Sequence, residues 1–111
     1  MSIIYKAKDV QPSNLSVVPT RLCKAFTTFL LNGGYDGVDL ENHAEFKKPK
    51  SPSIRISPSG AICKHGQKQY AFFLQIYLRT GANFLERLNR QANMAIRSGK
   101  AGFKFIDKVA A

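Results

Sequence analysis

The densest apolar stretch of the chain is YAFFLQIYL, residues 70–78, in which only Gln75 is polar. At about 1.5–3 kcal/mol for each large side chain fully buried, it is the strongest single drive to collapse. As a strand it lines up Tyr70, Phe72, Leu74, Ile76 and Leu78 on one face, with Phe73 and Tyr77 on the other. As a helix it is apolar nearly all round and has to be buried on most sides. Ala, Leu and Gln suit the helix, but the aromatics and Ile76 favour a strand, and a strand is the expectation.

Around this run the periodicity changes several times. Residues 2–10 (SIIYKAKDV) read as a short alternating strand, closed by the turn residues Gln11, Pro12, Ser13 and Asn14. Residues 19–31 carry Leu22, Ala25, Phe26, Phe29 and Leu30 at helical spacing, and Asn32, Gly33 and Gly34 supply the stop. Residues 35–50 hold Val38, Leu40, Ala44 and Phe46, enough for one or two short strands before Pro49 and Pro52 end any ladder. SIRIS, residues 53–57, is a compact strand. Pro58, Ser59 and Gly60 turn it into a return strand at 61–64, with Arg55, Lys64 and Lys68 on or near one sheet surface. Asn83 and Glu86 have capping-box spacing and start a helix over residues 84–98 that stops at Gly99. Its apolar face is Leu85, Leu88, Ala92, Ala95 and Ile96, while Arg87, Arg90 and Arg97 cluster within about a quarter turn on the opposite side. Residues 103–109 form a short closing element with Phe103, Phe105 and Ile106 to bury. The expected fold is a single small α+β domain over residues 1–111: an N-terminal helix, a short antiparallel β-meander and a C-terminal basic helix. That order resembles double-stranded-RNA-binding modules in topology alone, which carries no function with it.

Charge separates the two parts of the chain. Residues 1–46 hold four bases and five acids, whereas residues 47–111 hold thirteen bases against Glu86 and Asp107. The whole excess of +10 therefore lies in the second part, a one-sided field that gathers polyanions. Nucleic acid, DNA or RNA, is the expected partner, bound through its phosphates by Lys47, Lys48, Arg55, Lys64, Lys68, Arg87, Arg90, Arg97 and Lys100. Arginine forks onto phosphate and base edges, so the Arg87–Arg90–Arg97 stripe is a stronger signal than scattered lysines. An acidic protein partner suits the same charge. A membrane is not expected: no helix pairs a bulky apolar face with a lysine-rich one, and the central run is under half a membrane span. No secretory leader is read at the N-terminus, and the expected compartment is the cytoplasm.

Candidate chemistry is sparse. Cys23 falls on the buried side of a predicted helix and reads as a core residue. Cys63 and His65 are a close pair, but Cys23 and His43 do not complete zinc-ligand spacing, and no cofactor is expected. Glu45-Phe46-Lys47 is an E-x-K tripeptide, preceded by Asp36 and Asp39 and followed by Lys48-Pro49 and by Gln67 and Gln69 ahead of the aromatic run. This pattern over residues 20–80 resembles the PD-(D/E)xK nucleases, particularly small VRR-NUC modules of phage or mobile-element type. The resemblance implies that Asp36 or Asp39 holds Mg²⁺ or Mn²⁺ together with Glu45. It implies that Lys47 positions or activates the attacking water, that Gln67 or Gln69 begins a helix, and that residues 70–78 are helical. Of the two aspartates, Asp36 is better spaced to share a site with Glu45. The expected function is thus non-enzymatic nucleic-acid binding, with metal-dependent cleavage as the alternative.

Overall fold

Pro19 opens the first helix, where its missing N–H costs no intrahelical bond. A computed structural model of the chain describes residues 15–106; the strand expected over residues 2–10 and the last part of the closing element lie outside them. Helix α1 spans Thr20–Asn32 and buries Leu22, Cys23, Ala25, Phe26 and Leu30. Its stop is a Schellman motif. Gly34, at φ 97°, donates to the Leu31 carbonyl and Tyr35 to the Leu30 carbonyl, each at 3.1 Å. Glycine takes that left-handed angle without steric cost, and the bend sends the buried Tyr35 straight into the sheet.

Strands β1 (Asp36–Asp39), β2 (Ala44–Lys47) and β3 (Ile54–Ile56) form an antiparallel meander in the order β1-β2-β3. The register pairs Asp36 with Lys47, Val38 with Glu45, and Glu45 with Arg55. Paired residues share a face, so Asp36, Val38, Glu45, Lys47 and Arg55 lie on one side of the sheet. On the other side Ala44, Phe46, Ile54 and Ile56 are fully buried against the helices. The return strand expected at 61–64 shrinks to two isolated bridges, Val17 with Ala61 and Ile56 with Ile62, because the next helix already begins at Lys64.

The largest correction concerns the apolar run. Helix α2 spans Lys64–Thr80, so residues 70–78 are helical and not a strand. Tyr70 is 3 % exposed, Phe73 0 % and Phe72 55 %, a division that strand alternation would not make, since it puts Tyr70 and Phe72 on one face. The flanks conform to a helix: with residues 64–69 and 79–80 included, one helical side carries Gly66, Tyr70 and Phe73, and the other Lys64, Lys68, Phe72, Gln75 and Arg79. Phe73 packs at 5.4–5.6 Å from the rings of Phe26, Phe29 and Phe84, joining all three helices in one aromatic cluster. Lys64 and Lys68 therefore ride on a helix, not on the sheet surface expected for them.

Helix α3 spans Ala82–Arg97, two residues earlier at its start than expected, and Asn83 makes no cap. Gly81, at φ 82°, takes the cap position instead, turning α2 into α3 across a single residue. Its end is a second Schellman motif: Gly99, at φ 76°, donates to Ile96, and Lys100 to Ala95. α3 packs most extensively on α1, burying Leu88 and Ala92. The architecture is α+β, one core between a three-stranded sheet and a helical layer. No described helix is long and apolar enough to cross a membrane.

Candidate nucleic-acid interface

The E-x-K tripeptide occupies the central strand. Glu45, 9 % exposed, lies between Lys47, whose Nζ is 3.5 Å from Oε1, and Arg55, whose Nε donates to Oε2 at 3.2 Å. Covering the carboxyl pushes its pKa up, but the Arg55 hydrogen bond and the fields of Lys47 and Arg55 outweigh this and hold it below the usual range. Both its oxygens are thereby engaged by cations. Lys47 and Arg55 are themselves well exposed, so this sheet face shows net positive charge around a neutralised acid.

The aspartates part company. Asp36 shares the face of Glu45 as a diagonal cross-strand neighbour, a separation of roughly 7–8 Å between Cα atoms. Asp39 points to the other side, where Oδ2 accepts from the Gly102 backbone N–H at 2.9 Å and Oδ1 from that of Lys104 at 3.1 Å. It fastens the 99–104 loop to β1, a structural task. Among the described residues no three His, Cys, Asp or Glu side chains gather as metal ligands. Asp36, Asp39 and Glu45 as arranged do not fit a shared divalent ion, because Asp39 faces away with both oxygens bonded and Glu45 is paired twice. Cys23, buried, donates weakly to backbone carbonyls of Val18 and Pro19, and Cys63 to that of Ser53. His65 instead meets the Tyr35 hydroxyl at 3.1 Å.

The basic residues sort onto three surfaces. Arg87, Arg90 and Arg97 are exposed along the outer side of α3, away from Leu88 and Ala92. Lys64, Lys68 and Arg79 are exposed along α2, with Phe72 and Gln75 between them. The turn after β2 presents Lys47, Lys48 and Lys50, bent by Lys50 at φ 64° and closed by Ser51 N–H to the Lys48 carbonyl at 3.1 Å. Lys100 stands apart, lining a shallow hollow with Asp36.

Between this turn, the end of α1 and the first half of α2 lies an open groove of about 410 Å³. Phe29 and Phe72 supply its apolar lining, their rings 6.1 Å apart and tilted by 41°. Tyr35, Lys48, His65 and Gln69 supply polar groups, with the Lys48 ammonium 5.4 Å from the Tyr35 ring centre. Among the described residues no carboxylate lines it. Asn32, at its edge, donates to Gln91 of α3 at 2.8 Å, one turn on from Arg87. Sequence reading missed Phe72, Arg79 and this groove. The spacing of Lys64, Lys68, Phe72, Gln75 and Arg79 would have exposed the stripe had the helical window begun at Lys64. Gln67 uses its side chain on the Ile62 carbonyl at 3.4 Å, while Gln69 faces the groove.

No protein-family model, curated protein or solved structure matches this chain. The fold and surface define a small α+β protein whose helices α2 and α3 each carry an exposed basic stripe.

Proposed function

We propose that this protein binds nucleic acid by its phosphate backbone and does so without catalysis. One observation carries the reading: across α2 and α3 six bases, Lys64, Lys68, Arg79, Arg87, Arg90 and Arg97, all face solvent, with Glu86 the single acid in residues 64–97. A run of outward cations on two consecutive helices has few intramolecular partners and matches a repeating anion. Lys47, Lys48 and Arg55 extend the field toward the sheet.

The test is titration of labelled DNA and RNA at several salt concentrations. With about five to eight phosphate contacts, affinity should fall by a few powers of ten between 50 and 200 mM salt. Arg87→Ala, Arg90→Ala and Arg97→Ala combined should reduce the salt slope by about two to three. Each replacement should cost no more than ~0.5 kcal/mol of stability, since these side chains are exposed. A flat salt profile, or a triple variant that binds like wild type, would sink the proposal.

Metal-dependent cleavage is the second reading, favoured by the order helix, three strands, helix with E-x-K on the central strand. It would have to draw on Asp36 and Glu45, since Asp39 is committed to the 99–104 loop. It requires cleavage of labelled DNA or RNA with Mg²⁺ or Mn²⁺ that stops in chelator and in Glu45→Gln or Lys47→Ala. The binding reading expects no cleavage, and Glu45→Gln to bind somewhat tighter, because Lys47 and Arg55 lose their counter-charge.

A further inference from the structure

We propose that the groove between α1, α2 and the 48–51 turn receives an unpaired base of single-stranded nucleic acid, stacked on Phe72. The inference rests on the binding reading above and names its substrate class.

Among the described residues Phe72 is the aromatic one of the exposed large hydrophobics, with 55 % of its surface in water although its neighbour Phe73 is fully buried. Its ring lies at the groove wall beside Phe29, the two centroids 6.1 Å apart and tilted by 41°. Lys68 lies one turn before it on the same helical side and Lys64 two turns before, so cations approach the ring along a path a phosphate chain would follow. His65 and Gln69 line the groove from the Phe72 side of α2, two turns and one turn before it, and with Tyr35 and Lys48 from the other segments they offer charge, donors and acceptors to the polar edge of a base. The volume, about 410 Å³, falls in the range of small-ligand sites. Duplexes keep their base faces stacked inside, whereas a single strand offers them to an aromatic side chain flanked by cations. An acidic peptide would find the cations but make no use of an aromatic ring framed by hydrogen-bonding groups.

The experiment compares labelled oligo(dT), oligo(U) and a duplex of the same strand length by fluorescence anisotropy. Phe72→Ala should weaken both single strands by roughly 5- to 150-fold, the usual worth of one stacked base, and leave the duplex and its salt slope unchanged. Leu40→Ala, which removes an exposed apolar side chain on the β1–β2 turn, should change neither. Because the chain has no tryptophan, Phe72→Trp installs a unique reporter that should keep affinity and be quenched by oligo(dT) or oligo(U). A Phe72→Ala protein that binds single strands like wild type, or a Phe72→Trp emission unmoved at saturation, would overturn the inference while leaving phosphate binding intact. If wild type binds none of the three probes, the parent reading falls and takes this one with it.

Discussion

Replacing Phe73 with alanine is expected to remove a large share of this protein's stability, whereas the same change at Phe72 should cost little. The Phe73 ring is fully buried, with Phe26, Phe29 and Phe84 at 5.4–5.6 Å and Tyr70 at 6.0 Å. Its truncation removes a buried ring and leaves a hole between three helices, a change that costs about 3–5 kcal/mol. Small domains have about 5–15 kcal/mol in total, so at least a fifth and as much as all of the stability goes. At roughly 4–8 °C per kcal/mol for a domain of this size, the melting point should drop by more than ten degrees. Phe72 keeps about half its surface in water and touches the core through Phe29, so its loss should cost about 1 kcal/mol or less. Urea unfolding followed by far-ultraviolet circular dichroism gives both values, and an unchanged m-value assigns the shift to stability. Comparable costs, or a larger one at Phe72, would mean strand-like alternation through residues 70–78 and would refute the helical packing described here.

Three further outcomes follow from particular residues. Gly60 and Gly81 both have positive φ, 90° and 82°, yet a Cβ at Gly60 would fall on the Val18 carbonyl oxygen while nothing lies within 4 Å at Gly81. Gly81, at ψ −165°, lies in an extended positive-φ region that is nearly closed to other residues, so Gly81→Ala should cost about 1–3 kcal/mol from backbone strain alone. Gly60→Ala should cost clearly more, with the Val18 N–H to Gly60 carbonyl bond at 2.8 Å disturbed, and equal losses in chemical denaturation would contradict this. Burial pushes the Cys23 thiol from 9.0 up to about 11, so the folded state holds its proton where the unfolded state has lost it. That contribution is complete below pH 9 and is lost as pH rises from there to about 11; wild type should lose stability relative to Cys23→Ala across that window, and a constant difference would argue against it. In the native protein Cys63 should react quickly with a thiol reagent and Cys23 only on unfolding.

Much of this architecture is local and so was legible in the chain. The α1 stripe of Leu22, Phe26 and Leu30, the β3 alternation of Ile54 and Ile56, and the glycine stops at 33–34 and 99 each announce themselves within a few residues, because period and backbone angle are local properties. The outward arginines of α3 follow from the same periodicity. Tertiary structure alone decided the rest. A nine-residue run of apolar and aromatic side chains satisfies strand and helix alike, and what selected the helix was a cluster of partners, Phe26, Phe29 and Phe84, drawn from two other elements. Sequence spacing favoured Asp36 over Asp39, but only the strand register shows where each goes: it sends Asp36 to the face of Glu45 and Asp39 to the backbone of Gly102 and Lys104, more than sixty residues on. The groove beside Phe72 exists because three segments distant along the chain meet there, and no pattern within any one of them encodes a concave surface.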